Sequence, residues 1–193
     1  KIVNFCKVAA RDHGVVYGWM DTVCIDKSSS TELDESIRSM YRWYRQSHVC
    51  ITYLADTSTI PDMHNDKWFT RGWTLQELLA PRNMVFYGKN WYFLAQNNME
   101  KTDGSGDIFN CFATAAYSQV FQATTIQSKE MEMCFNNPES LPISRIFQLA
   151  SRRKVTRQED SVYSLMGLLG VSISIAYGEG SSAAFTRLVR EIM

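Results

Sequence analysis

The stretch WFTRGWTLQELLAP at residues 68–81 decides how we interpret the rest of the chain. Thr70 can cap a helix, and Pro81 cannot continue one because its ring clashes with the preceding turn. The residues between them are mostly good helix formers, so we predict a short helix that ends before Pro81. At about 100° per residue, the apolar face of this helix consists of Leu75, Leu78 and Leu79. The other face consists of Trp73, Gln76, Glu77 and Ala80.

The side of this helix that lacks leucines carries a large aromatic residue beside an acidic one. Trp73 and Glu77 are four residues apart and are therefore neighbours on the helix surface. A carboxylate beside an indole indicates a site for a ligand or for a partner protein. The alternative is that Trp73 packs beneath another segment and Glu77 is simply solvated. The geometry of one helix leaves both interpretations open.

The composition of the chain is typical of a soluble globular protein. With 193 residues, 45% of them hydrophobic, the chain can bury one core, with or without a subdomain. Its apolar runs are shorter than the roughly 20 residues of a spanning helix, so we expect no membrane span. Twenty basic and twenty acidic side chains cancel, and we therefore expect no nucleic-acid partner drawn by an overall positive field.

The cysteines indicate a reducing compartment. Their number, five, is odd, and no C-x-x-C spacing is present. The sequence therefore predicts neither a disulfide framework nor a metal site. A cytoplasmic location is the expectation that follows.

Helices and strands are predicted to alternate along the first half of the chain. The predicted elements are a helix at 1–13, a strand at 15–25, a helix from 30 to about 47, a strand at 49–55, the helix within 68–81 and a strand at 84–87. Gly14 marks the end of the first helix, and Ser29 with Glu32 forms a capping box for the second. This order predicts right-handed crossovers and a mostly parallel sheet with helices on its faces, which is an α/β fold.

Three carboxylates follow the predicted strands. Asp26 and Asp56 come after strand ends, and Glu77 lies early in the helix after the second strand. Ligands of parallel sheets bind beyond the carboxyl ends of the strands, so we expect these carboxylates to face one cleft. Because the chain begins with a predicted helix, we also expect a strand to precede it.

Residues 91–193 are predicted to be mainly helical and to pack against an α/β core of residues 1–90. Helices are predicted at 108–120, 128–135, 143–150, 158–169 and 181–193, with a strand at 171–176. A basic group consists of Arg152, Arg153, Lys154 and Arg157. It could meet the phosphates of a nucleotide or nucleic acid. Glu159 and Asp160 follow at once, which favours an internal salt-bridge network instead.

Several segments together resemble the fungal heterokaryon-incompatibility (HET) domain family. They are WMDTVCIDK at 19–27, MYRWY at 40–44, RGWTLQEL at 71–78, ASRR at 150–153, TRQED at 156–160, Tyr163, LMG at 165–167 and YGEG at 177–180. The matches follow the order of the family from near residue 15 to the C-terminus, and within this range only about residues 91–141 are unmatched. The opening strand of the family, which carries a Ser or Thr before a Trp-Gly pair, is absent from this sequence. The resemblance implies a role in self/non-self recognition, in which fusion of unlike fungi triggers cell death.

A more remote resemblance concerns mechanism. WTLQEL at 73–78 is similar to the W-C-x-x-E-L helix of TIR domains, with Thr74 in place of the cysteine, and MVFY at 84–87 is similar to their next strand. It implies a flavodoxin-like (TIR-like) sheet whose first strand is missing. Enzymatic TIR domains use this glutamate to cleave NAD at the nicotinamide-ribose bond. The resemblance therefore implies that Glu77 is catalytic and that Trp73 stacks on a ring. Ribose or phosphates would be positioned by Asp26, Lys27 and Arg71.

Two functions compete at this point. In the first, the domain is an NAD hydrolase that is switched on by self-association, with NAD as its substrate and no metal or cofactor. In the second, it is a non-enzymatic module that triggers cell death by self-association, and Trp73 lies in a protein interface. A NOD-like or other sensor domain is the implied activating partner. The Trp73 and Glu77 pair favours the first, whereas Thr74 and the lack of a second acid favour the second.

Overall fold

A computed structural model describes residues 1–98, 114–137 and 140–193 of the chain. These residues form an α/β fold in which helices surround a small sheet. The helices are α1 (Ile2–His13), α2 (Asp21–Cys24), α3 (Ser30–Gln46), α4 (Thr74–Leu79), α5 (Thr114–Thr124), α6 (Ser128–Asn136), α7 (Ile143–Ala150), α8 (Asp160–Tyr163) and α9 (Ser181–Ile192). The strands are β1 (Cys50–Tyr53), β2 (Asn83–Tyr87) and β3 (Phe93–Asn98). Short 3-10 helices cover Ile60–Asn65, Lys67–Thr70 and Lys89–Trp91.

Within the described residues, the sheet has three strands in the order β1-β2-β3. β1 and β2 are parallel, with Cys50 opposite Met84 and Tyr53 opposite Tyr87. β3 runs antiparallel to β2. The sheet is therefore mixed rather than mostly parallel as predicted, because the short turn at Lys89–Trp91 has no room for the crossover that a parallel neighbour needs. A flavodoxin-like arrangement is not confirmed by this small sheet.

Elements with strong local signals form where they are predicted. α1 ends at Gly14, which has a left-handed φ of 65° and donates its N–H to the carbonyl of Ala10. Ser29 caps α3 by accepting a hydrogen bond from the N–H of Glu32 at 3.3 Å. β1, β2, α7 and α9 also lie within two residues of their predicted bounds.

Two predicted strands and part of one predicted helix are wrong. Residues 15–20 have no regular structure and 21–24 form the short α2, while 171–176 is irregular. A strand sequence adopts strand structure only beside a partner edge, and neither segment has one among the described residues. The predicted helix at 158–169 is shorter, with α8 followed by turns. The helix predicted at 108–120 begins outside the described residues, and α5 covers its later part.

α4 differs from its prediction at its start and on its outer face. Thr70 ends the 3-10 helix before it, and the Thr70 hydroxyl donates to the carbonyl of Lys67. The helix begins at Thr74 instead. Gln76 is buried on the face that was expected to be free of core contacts, and its amide donates to the sulfur of Met40 at 3.4 Å. A second layer of helices thus covers this side of α4.

The core joins the two halves of the chain. One buried cluster contains leucines of α4 and residues of β1 and β2 together with residues of α5, α6 and α7. A second cluster lies between α3, the α8 region and α9. In the described part of the chain, no helix combines the length and the apolar character that a bilayer crossing requires.

Candidate functional site

A cavity of about 850 Å³ lies beside β1. We call it the β1 cavity. One wall consists of Lys1 and of Ile2, Phe5 and Ala9 of α1, and another consists of Val49 and the β1 residues Cys50, Ile51, Thr52 and Tyr53. The segment after α1 contributes Val15 and residues 17–22, and the end of α3 contributes Trp43, Tyr44 and Gln46. Its walls also include Trp68, Arg71, Glu77 and Trp91. Most of the walls are apolar or aromatic, as in typical small-molecule sites.

Glu77 of α4 contributes a carboxyl group to the wall of this cavity. The indole nitrogen of Trp68 donates a hydrogen bond to its Oε2 at 3.3 Å. Burial raises the pKa of the Glu77 carboxyl above its ordinary value, and the nearby Asp21 carboxylate acts in the same direction. The positive charge of Arg71 and the bond from Trp68 oppose this rise. A carboxyl group with a raised pKa at a cavity wall is a feature of catalytic and ligand-binding sites.

The position of Trp68 is fixed by a buried aspartate. Asp66 caps the 3-10 helix Lys67–Thr70 by accepting from the Trp68 N–H at 3.0 Å. Its other oxygen accepts from the N–H of Asp56 at 2.9 Å and from the hydroxyl of Thr57 at 3.0 Å. The Trp68 ring packs edge-on against Phe86 of β2. The indole nitrogen is therefore held toward Glu77 by contacts on several sides.

The C-terminal half of the chain supports the same region through Arg153. Its guanidinium donates to the carbonyl of Arg71 at 2.9 Å and to the hydroxyl of Thr74 at 2.8 Å. Burial lowers the pKa of Arg153 to about 10, while the Glu77 charge raises it, so the group stays positive at neutral pH. The Thr74 hydroxyl donates in turn to the carbonyl of Trp68 at 2.6 Å. Arg153 thus ties the start of α4 to the loop that carries Arg71.

The predicted site residues fall into two groups. Glu77 and the exposed Arg71 line the β1 cavity. Trp73 does not line it, because its half-buried ring packs in the second cluster between α3 and α9. Asp26 is exposed outside the cavity and closes its own turn by accepting from the N–H and hydroxyl of Ser28. Lys27 is exposed beside it and is also absent from the walls.

The expected convergence of three carboxylates does not occur. Asp26 and Asp56 lie outside the walls of the β1 cavity, and Asp56 forms an exposed ion pair with Lys67. The predicted strand before Asp26 is absent, so nothing carries this residue to the end of a parallel sheet. Asp21, earlier in the same segment, lines the cavity instead.

Trp68 and Tyr44 line the β1 cavity although no sequence pattern predicts them as site residues. Trp68 lies nine residues before Glu77, and its contact depends on the turn that Asp66 closes rather than on helical spacing. Tyr44 lines the cavity from the end of α3, and burial raises the pKa of its hydroxyl. Both stand in segments that the sequence singles out, residues 68–81 and 40–44. These two motifs are therefore the sequence features that could have indicated both residues.

In the described part of the chain, the basic group forms none of the expected salt bridges with Glu159 and Asp160. Among the described residues, the Arg157 guanidinium lies 4.1 Å from the ring centre of Tyr177. Arg153 donates to the hydroxyl of Thr74, the first residue of α4. Glu159 accepts from the N–H groups of Gly178 and Gly180, at 2.8 and 3.0 Å. The YGEG turn is therefore held by main-chain hydrogen bonds to a carboxylate.

The chemistry available in the β1 cavity is that of one carboxyl group among aromatic rings, with a guanidinium nearby. Such a site can hold a ligand with a flat ring, with hydroxyl groups for the carboxylate and an anionic group for Arg71. Within residues 1–98, 114–137 and 140–193, no three His, Cys, Asp or Glu side chains are grouped closely enough to hold a metal ion.

Comparison with known proteins identifies relatives of this chain. The model of the family described as heterokaryon incompatibility protein (HET) matches residues 2–63. Vegetative incompatibility protein HET-E-1 of Podospora anserina is 36% identical to the chain over 203 residues, an alignment that covers 98% of this chain and 14% of that protein. The comparison with solved structures gave no significant match. The family model and the aligned relative assign this chain to the heterokaryon-incompatibility (HET) family, as its sequence motifs predict.

Proposed function

We propose that this chain is a module of a fungal incompatibility response that ends in cell death in the cytoplasm. Its membership of the HET family and the name of its relative, a vegetative incompatibility protein, support this role. The chain spans a small part of that relative, which favours a module controlled by a further domain. A NOD-like or other sensor domain that brings copies of the module together is the partner we propose.

The reaction we propose is hydrolysis of NAD at the bond between nicotinamide and ribose. Water adds to the ribose carbon while the carbon-nitrogen bond breaks, nicotinamide leaves neutral with the electron pair, and the water releases a proton. Positive charge develops on the ribose in the transition state, and the Glu77 carboxylate would stabilise it. The carboxyl group of Glu77 in an aromatic cavity, bonded to Trp68, is the observation that carries this proposal.

The other predicted residues have different places in this proposal. Arg71 lines the cavity and would bind a phosphate. Trp68 would replace Trp73 as the indole closest to the substrate, because Trp68 is the one that contacts Glu77. Asp26 and Lys27 lie outside the walls and would not contact the nicotinamide riboside.

Nicotinamide release from NAD by the purified protein at high concentration tests this proposal. Glu77→Gln should abolish the release, because the amide keeps the shape of the side chain and removes its charge. The matched control is Glu35→Gln on the exposed surface of α3, which should leave the rate unchanged.

The ionised form of Glu77 is the active one in this proposal, and burial raises the pKa of its carboxyl. The rate of nicotinamide release should therefore rise with pH through a midpoint above that of an ordinary glutamate. Release that persists in Glu77→Gln would refute the role of this residue.

A second candidate function is non-enzymatic assembly. Val3, Val16 and Tyr17 are 65%, 84% and 92% exposed, and Tyr17 lines the β1 cavity, which favours a protein contact on this side of the molecule. Cell killing by a folded Glu77→Gln variant, at the level of the unchanged chain, would support assembly over hydrolysis. Killing that disappears together with nicotinamide release would support hydrolysis.

A further inference from the structure

We propose that Arg71 and Lys154 together bind the diphosphate group of a nucleotide at the edge of the β1 cavity. Arg71 is a predicted site residue that lines this cavity, and Lys154 belongs to the basic group of the C-terminal half. This site rests on the proposed function, since NAD is the diphosphate-containing nucleotide that the cavity is proposed to take. Its geometry comes from a pairing between the two halves of the chain.

A main-chain pairing brings the two cationic residues together. Arg71 and Lys154 are partners in a parallel β-bridge. The N–H of Lys154 donates to the carbonyl of Thr70 at 2.6 Å, and the N–H of Gly72 donates to the carbonyl of Lys154 at 2.8 Å. Paired residues of neighbouring strands lie about 5 Å apart and point their side chains to the same face. The two side chains therefore start from neighbouring positions and extend in the same direction.

The residues on either side of this pair fix its direction. Gly72 and Val155 meet on the inner face, where a Cβ at Gly72 would lie 2.5 Å from a methyl carbon of Val155. Both are buried at least in part, whereas Arg71 and Lys154 are exposed. The guanidinium of Arg153 is bonded to the first residue of α4 and so points inward as well. Alternation along the chain then directs Lys154 outward, beside Arg71.

The positive charges of this pair lack a carboxylate partner. Within the described residues, neither Arg71 nor Lys154 forms an ion pair, whereas Arg145 and Arg187 are each bonded to a glutamate. The charge of Arg71 opposes the rise in the pKa of Glu77 that burial causes, although the two groups form no ion pair. Like charges at paired positions repel each other, and an anion between them replaces this repulsion by attraction. An anionic ligand therefore completes the pair.

A diphosphate matches this pair in its charge and in its two linked groups. A guanidinium binds one phosphate through two parallel N–H donors, and an ammonium binds the second as a point charge. Arg71 and Glu77 line the same cavity, so the phosphate next to the nicotinamide ribose would lie at Arg71. The second phosphate would lie at Lys154, outside the cavity walls. The adenosine part of NAD would then extend over the C-terminal half of the chain.

Binding of ADP-ribose, measured by titration calorimetry, tests this site without requiring hydrolysis. Lys154→Met removes the charge and leaves the main-chain hydrogen bonds in place, and it should raise the Kd by about tenfold or more. Arg71→Met should raise the Kd at least as much. The matched control is Arg152→Met, which removes a charge of the same basic group outside the bridge. It should change the Kd by less than about twofold, because exposed charges without a ligand contact are screened by salt.

Nicotinamide release gives a second measurement. Lys154→Met should raise the KM for NAD about tenfold with little change in kcat, because it removes binding to a part of the substrate that does not react. The KM for nicotinamide riboside should stay the same, since this compound carries no phosphate.

The outcomes separate this site from the proposed hydrolysis. Failure of the unchanged chain to bind ADP-ribose, equal binding by Lys154→Met, or equal weakening by Arg152→Met overturns the diphosphate site. Binding that depends on Lys154 in a chain that releases no nicotinamide supports the site and refutes the hydrolysis. Release of nicotinamide with the same KM for NAD in Lys154→Met refutes the site and leaves the hydrolysis intact.

Discussion

Glu77 combines a charge with a site that disfavours charge. Burial raises its pKa, so between the pKa of an unfolded glutamate and that of the folded chain, the folded state binds more protons. The free energy of unfolding therefore falls as pH rises through this window, and at neutral pH the ionised form costs stability. Arg71 and Trp68 reduce this cost without cancelling it.

This balance predicts the stability of Glu77→Gln. The variant should have a higher free energy of unfolding than the unchanged chain at pH 8, because it removes a charge that burial disfavours. At pH 4, where the folded carboxyl is largely protonated, the difference should shrink toward zero. Urea unfolding at the two pH values measures it. A gain that is as large at pH 4 as at pH 8, or a loss at pH 8, would contradict the assigned cause.

At the scale of single elements, α3 depends on Ser29, the capping residue just before its first turn. The Ser29 hydroxyl accepts from the Glu32 N–H, which satisfies one of the free N–H groups at the helix start. Ser29→Ala should lower the free energy of unfolding by about 1 kcal/mol. Ser30→Ala is the matched control one residue later, since no side-chain bond depends on it, and it should change stability by less than about 0.5 kcal/mol. Equal losses in thermal unfolding for the two serines would contradict the cap.

The same element shows how far local sequence signals extend. The Ser29 cap and the Gly14 stop depend on neighbours within four residues, and both are predictable. The second half of the predicted capping box, a bond from the Ser29 N–H to the Glu32 side chain, does not form. Glu32 Oε1 accepts from the N–H of Asp26 at 2.8 Å instead. Asp26 reaches Glu32 through a turn closed by its own contacts with Ser28. A competing local contact of this kind is not visible in a motif.

Strands and the site depend on partners that lie far apart in the chain. β1 and β2 are predictable from their short apolar runs, although only the run of β2 is fully buried on both faces, whereas Ile51 and Tyr53 of β1 are half-buried. Residues 15–25 have an equally strong strand composition, yet the described chain offers them no edge, so they stay irregular. Likewise, Arg71 and Glu77 both stand in the segment 68–81 that the sequence singles out. The contacts from Trp68 and Arg153 require tertiary structure.

At the scale of the whole molecule, residues 1–90 and 91–193 differ in their predicted secondary structure, but they share one hydrophobic core. Leu75 and Leu78 of α4 belong to one buried cluster with Val120 of α5 and Ile146 and Leu149 of α7. Losing the partners of a buried leucine costs about 2–5 kcal/mol for each side chain. A domain has about 5–15 kcal/mol of net stability in total. A few such losses therefore exceed what the N-terminal half can tolerate.

We accordingly predict that residues 1–90 do not fold alone. The fragment should retain helical far-ultraviolet circular dichroism, bind a hydrophobic dye and unfold without a cooperative transition, because its apolar faces lack their covering helices. Mixing it with residues 91–193 should restore a cooperative thermal transition, and a mixture in which Leu149→Asp places a charge at the shared core should not. A fragment of residues 1–90 with a sharp melt and native-like near-ultraviolet circular dichroism would show that the N-terminal half is an independent folding unit. The C-terminal helices would then be an addition to a stable α/β core, and the support that Arg153 gives to Thr74 would be dispensable for the fold.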